Sequence, residues 1–96
     1  MNESELYAVI ENFKGNESAA ISQITLLNKI KAFLDKNGVK SQVLEDEHPL
    51  IDELSLGDIY PYCEAYLLIT LDNEAQYVAY YSENTKELSL ILQKIE

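Results

Sequence analysis

Apolar residues at Leu6, Val9, Ile10 and Phe13 recur at helical spacing. Asn2 and Glu5 stand where a capping side chain and its return contact belong, and Gly15 supplies a stop. A second helical stripe, Ala20, Ile24, Leu27, Ile30 and Leu34, is broadened by Ile21, Leu26 and Phe33. It predicts a helix from Glu17 or Ser18 to Lys36, closed by Asn37-Gly38, with Lys36 near the negative end of its dipole. Val39 to Leu44 reads as a short strand. Glu45-Asp46-Glu47-His48-Pro49 is an acidic turn, followed by one helical turn at Leu50 to Leu54.

Tyr62 to Leu71 is the strongest strand pattern in the chain, and Gln76 to Ser82 returns as its partner across Asp72-Asn73-Glu74-Ala75. The last segment fits two periods. Leu88, Ile91, Leu92 and Ile95 are spaced for a helix with Asn84 and Glu87 as a capping pair, whereas Leu88, Leu90 and Leu92 alternate as in a strand. Polar residues at 86, 87, 89, 93 and 94 favour the helix. The expected fold is therefore α+β: two N-terminal helices, an antiparallel sheet of about three strands centred on the 62–71/76–82 hairpin, and a C-terminal helix, with a fourth strand as the alternative. No repeat or linker interrupts residues 1–96, which predicts a single domain.

Composition narrows what such a domain could do. Hydrophobic residues make up 47% of the 96 residues, enough for a packed core. Seventeen acidic residues face seven basic ones, a formal charge of −10, and all seven bases are lysines. A chain this acidic repels phosphate at long range, and without arginine it has no planar fork for a phosphate, so direct nucleic-acid binding is disfavoured. Cys63 is the sole cysteine, so no disulfide forms within the chain. The acidic start Met1-Asn2-Glu3-Ser4-Glu5 is unlike a signal peptide, and no apolar run is long enough to span a bilayer. These features predict a cytoplasmic protein with no membrane association.

The charge is unevenly distributed. Residues 1–44 hold five acids and five lysines, so residues 45–96, with twelve acids and two lysines, own the whole excess. Residues 45–74 carry nine acids and no lysine. Six of the seven tyrosines lie in residues 60–81. A two-residue turn at Asn73-Glu74 would set Ile69 against Val78, Leu67 against Tyr80 and Tyr66 against Tyr81. Ala65, Leu67, Ile69, Leu71, Val78 and Tyr80 would then form the core face. Glu64, Tyr66, Leu68, Thr70, Asp72, Tyr77, Ala79 and Tyr81 would form a mixed face of rings and carboxylates. Such a face could receive a basic partner, or a helix of the same chain could cover it.

Chemistry of other kinds finds little support. Strand parity points Cys63 into the core beside Ala65 and Leu67, and Glu64 beside it would not activate a thiol. One cysteine and one histidine (His48) cannot close a zinc site, and Glu45-Asp46-Glu47 lacks the spaced loop of a calcium site. Gly15, Gly38 and Gly57 are isolated, so there is no phosphate loop. The sequence therefore predicts no catalytic residue, no metal and no cofactor.

The expected function is that of a small acidic inhibitor, of the immunity-protein or antitoxin type, that is monomeric when free. Its partner would be basic: a nuclease toxin or another protein acting on nucleic acid. Glu45, Asp46, Glu47, Asp52, Glu53, Asp58, Glu64 and Asp72 would supply the charge, and Tyr66, Tyr77 and Tyr81 the packed anchors. The alternative is a self-associating structural or regulatory domain without catalytic activity, which the like charge of two copies opposes.

Overall fold

A capping box opens the first helix, α1 (Glu3–Phe13). The Glu5 amide donates to Asn2 Oδ1 at 2.8 Å, and the Asn2 amide donates back to Glu5 Oε1 at 3.3 Å. Leu6 and Ile10 are its buried face. These coordinates are a computed structural model that describes residues 1–15, 21–45, 48–56, 63, 65–84 and 87–95.

Helix α2 (Gln23–Lys36) begins later than its apolar stripe suggests. Ser22 is the cap, its Oγ accepting from the Thr25 amide at 3.2 Å, and its own backbone is extended. The expected start at Glu17 or Ser18, like Ala20, lies outside the described residues. Of the residues expected to broaden the stripe, Leu26 is buried, but Ile21 and Phe33 are exposed. The helix closes as a Schellman motif. Gly38, at φ +74°, donates to the Asp35 carbonyl, and the Val39 amide donates to the Leu34 carbonyl at 2.9 Å. The chain turns directly from there into the sheet.

Four antiparallel strands form that sheet in chain order: β1 (Lys40–Glu45), β2 (Ala65–Thr70), β3 (Gln76–Asn84) and β4 (Glu87–Ile95). A short helix, α3 (Pro49–Glu53), lies between β1 and β2 in the chain. The expected three-stranded sheet with a C-terminal helix is thus overturned. Segment 87–95 is a strand paired to β3 along its length, from Gln76↔Ile95 to Asn84↔Glu87. Asn84 and Glu87, spaced like a helix cap, are instead opposed across a hairpin.

The physical reason lies in the layers around the sheet. Leu90 and Leu92 pack on the face beneath α1 and α2, while Ile91 and Ile95 pack on the opposite face. Apolar neighbours on both faces make a strand's pattern nearly continuous, and a helical period can be picked from it by chance. Pairing also gives β3 hydrogen-bond partners on both edges.

One cluster joins Leu6, Ile10, Leu26, Leu27, Ile30 and Leu34 of the helices to Ala65, Leu67, Ile69, Tyr77, Ala79, Tyr81 and Leu90 of the sheet. A second cluster on the reverse face holds Leu44, Leu56, Tyr66, Leu68, Val78 and Tyr80, with Leu50, Ile51 and Leu54 packed against it.

The division of β3 between these clusters is set by its turn. The Glu74 amide donates to the Leu71 carbonyl and the Leu71 amide to the Ala75 carbonyl, both at 2.9 Å. This is a three-residue connection, Asp72-Asn73-Glu74, with Glu74 left-handed at φ +68°. The pairing is therefore Ile69↔Tyr77 and Leu67↔Ala79, one residue away from the expected register. Tyr77, Ala79 and Tyr81 move to the face of Leu67 and Ile69, and Val78 and Tyr80 move to the other.

A left-handed glutamate costs backbone energy that glycine does not incur, although glycine's freer unfolded chain returns part of the difference. Glu74→Gly is expected to stabilise the fold by about 0.5–1 kcal/mol, seen as a higher urea midpoint with an unchanged slope. A lower midpoint would show that the side chain matters more than the backbone strain.

Candidate functional site

The expected tyrosine anchors are inside the protein. Tyr66, Tyr77 and Tyr81 retain 4%, 1% and 2% of their accessible surface, so none can dock on a partner without leaving the core. Exposing one such ring would cost on the order of 2–3 kcal/mol. Nor do they share a face, because Tyr66 belongs to the second cluster and Tyr77 and Tyr81 to the first. Tyr66 stacks obliquely on Tyr80 with ring centroids 6.4 Å apart, and its hydroxyl donates to the Leu56 carbonyl at 3.5 Å. Tyr77 meets the ring of Tyr7 edge-on at 6.3 Å. The mixed face of rings and carboxylates expected from the two-residue turn does not form.

The carboxylates fall into separate groups. Glu45 ends β1, and Asp52 and Glu53 sit on α3; all three are exposed and make no ion pair among the described residues. The Glu45 carbonyl accepts from the His48 amide at 3.1 Å, which links the end of β1 to the residue that caps α3. Asp46, Glu47, Asp58 and Glu64 lie outside the described residues. Asp72 is exposed in the β2–β3 turn, at the opposite end of β2 from Ala65, the partner of Glu45. Seven strand and turn residues separate these ends, roughly 20 Å. There Asp72 Oδ2 lies 3.5 Å from the N-terminal ammonium. It is therefore not part of one patch with Glu45, Asp52 and Glu53.

His48 has a structural task at the edge of this acidic group. Its Nδ1 accepts from the Leu50 amide at 3.1 Å and so caps α3, while Pro49 fits the first helical position. In a neutral imidazole whose Nδ1 accepts, Nε2 bears the proton. The Gln42 side-chain nitrogen stands 3.0 Å from His48 Nε2, and turning that amide over would bring its oxygen there to accept the proton. One ring thus ties α3 to β1.

Cys63 packs with the second cluster rather than beside Ala65 and Leu67, because it precedes β2 and does not share its alternation. Its Sγ is 3.6 Å from the Tyr81 carbonyl, and burial raises the thiol above its ordinary pKa, with a hydrogen bond from Tyr66 acting in the opposite direction. That environment keeps sulfur protonated and poorly nucleophilic. Among the described residues, no three His, Cys, Asp or Glu side chains are grouped to hold a metal ion. No helix among them is long and apolar enough to cross a membrane.

The sequence reading also missed residues. Tyr7, the one tyrosine outside the cluster at 60–81, is 39% exposed, and Phe33 is 42% exposed, its ring edge-on to Phe13 at 5.9 Å. Tyr7 stands outside the α1 stripe of Leu6, Val9, Ile10 and Phe13, and that position was the available signal of exposure. Comparison with known protein families, curated proteins and solved structures finds no match.

Two outcomes test these placements. His48→Ala removes the α3 cap and is expected to cost about 0.5–2 kcal/mol, whereas His48→Asn keeps an acceptor and should cost less; urea unfolding of both variants checks the order. Desolvation, reinforced by the Glu3 carboxylate, raises the Tyr77 phenol above its ordinary pKa. Its contribution to stability is complete below the unfolded tyrosine pKa and is lost as pH rises through the raised folded value. Unfolding midpoints measured across the alkaline range should fall less steeply for Tyr77→Phe than for the parent chain.

Proposed function

We propose that this chain is a small protein-binding inhibitor, of the immunity-protein or antitoxin type, that covers a basic surface on a partner acting on nucleic acid. The supporting observation is the segment from Glu45 through α3. It projects Glu45, Asp52 and Glu53 into solvent within a stretch, residues 45–74, that contains no lysine. In the described part of the chain, lysines balance acids mainly on the helices, as in the pairs Lys14–Glu11 at 2.9 Å and Lys31–Asp35 at 2.6 Å. Carboxylates without local counter-charges generate a negative field that speeds encounter with a cationic surface.

Burial of Tyr66, Tyr77 and Tyr81 changes the form of this reading. Recognition would be led by charge, with the tyrosines stiffening the scaffold beneath. Charge-led recognition of this type appears in the association rate and in its steep salt dependence.

The test combines capture and kinetics. The chain, immobilised at low salt, is expected to retain a basic protein from lysate of its host. Its association rate should fall at least about tenfold between roughly 20 and 200 mM salt. Glu45→Lys, Asp52→Lys and Glu53→Lys combined should slow association by a similar factor while leaving the fold intact. A captured partner of acidic surface, or an on-rate indifferent to salt and to these reversals, would overturn the proposal.

A further inference from the structure

The second face of the sheet is not uniform, and the strand registers show how it changes along its length. Leu44 and Tyr66, opposed across β1 and β2, and Tyr80 and Ile91, opposed across β3 and β4, all belong to or pack against the second cluster. Two residues further along, Gln42 opposes Leu68, Leu68 opposes Val78, and Val78 opposes Gln93. Two further still, Lys40 opposes Thr70 and Thr70 opposes Gln76. On β1 and β2 the face thus turns polar, while across β3 Gln76 opposes the apolar Ile95, and beside Leu50 of α3 it opens into a groove of about 420 Å³. Among the described residues, its lining includes Lys40, Gln42, Leu50, Leu68, Thr70 and Gln76.

Three features give this groove a chemical preference. In a chain of 17 acids, none of the described lining residues is acidic, and one is a lysine. The nearby Asp72 pairs with the N-terminal ammonium of Met1, which packs on the opposite, helical face. The side chains of Lys40, Thr70 and Gln76 have no hydrogen-bond partner among the described residues. Gln42 meets His48 with one end of its side-chain amide, and the other end remains for a ligand. Leu50 and Leu68 supply apolar contact for a carbon skeleton.

We propose that this groove binds a small hydroxycarboxylate of about the size of a uronic acid. Lys40 meets the carboxylate, Thr70, Gln76 and the Gln42 amide meet hydroxyl groups, and Leu50 and Leu68 pack against the carbons. Phosphate fits less well. The chain has no arginine, only one lysine lines the groove, and the Leu50 amide that a helix start might offer is already taken by His48. The volume lies within the range of small-molecule pockets. Among the described residues, none of Glu45, Asp52 and Glu53 lines the groove, although Leu50 belongs to the segment that carries them.

The experiment is an amide and side-chain NH₂ NMR titration of the whole chain with sodium D-glucuronate, with D-glucose and inorganic phosphate as comparisons. Glucuronate should give saturable shifts centred on Lys40, Gln42, Thr70 and Gln76, with a Kd of roughly 1–10 mM. Lys40→Met should weaken it about fivefold and remove its advantage over glucose, while Thr70→Val weakens both sugars. The dispersed spectrum of each variant reports that it is folded. No saturable shift at the groove up to roughly 50 mM glucuronate, phosphate binding there as well as glucuronate, or affinity unchanged in folded Lys40→Met would each overturn the proposal.

Discussion

The turn Asp72-Asn73-Glu74 sets which side chains of β3 face the helices and which face α3. It is held by two hydrogen bonds of 2.9 Å and by one glutamate in a left-handed conformation. The Asn73 side chain braces it by accepting from the Ala75 amide at 3.1 Å. Side chains alternate along a strand, so adding one residue to the turn exchanges the two faces of everything that follows. Tyr77 and Tyr81 consequently lie under the helices, and Tyr80 meets Tyr66 on the other side. Because β4 takes its register from β3, Leu90 and Ile91 inherit their faces from the same turn.

The two layers beside the sheet differ in how they are attached. The helical layer is joined through a continuous apolar cluster and a complete Schellman closure between α2 and β1. The reverse layer depends on less. α3 has five residues, too few to be stable alone, and is held by its apolar contacts and by the His48 ring bridging to Gln42. Leu50, near the start of the same short helix, lines the groove beside Leu68 and Thr70 of β2.

Much of this arrangement was legible from residue patterns. The Asn2–Glu5 cap, the end of α2 at Asn37-Gly38, the strand after it and the helical turn at Leu50 all follow from local chemistry that acts within a few residues. What was not legible depends on distant partners. The last segment satisfies a helical period, and only the presence of β3's free edge and of apolar layers on both faces makes it a strand. The register of the central hairpin depended on turn length, since Asn73-Glu74 lacks the glycine that would mark a two-residue turn. That single residue moved Tyr77 and Tyr81 beneath the helices, while Tyr66 kept its face beside Leu68 and is buried there by the second cluster. Glu45, at the end of β1, and Asp52 and Glu53, on α3, are exposed, and none of the three lies on the hairpin whose register the turn sets.

Strand order equal to chain order has a kinetic consequence. Each strand pairs with the next one along the chain, so no pairing must wait for a distant segment to return. The β2–β3 hairpin closes through three residues, and hairpins of that kind form within roughly 1–10 μs. β1 and β4 can then add to opposite edges, β4 across residues 85–86 and β1 across the longer stretch 46–64, whose closure entropy grows only slowly with length. Folding should therefore begin at the centre of the sheet and spread outward in both directions, with the helical layer settling on a template whose faces the central turn has already assigned.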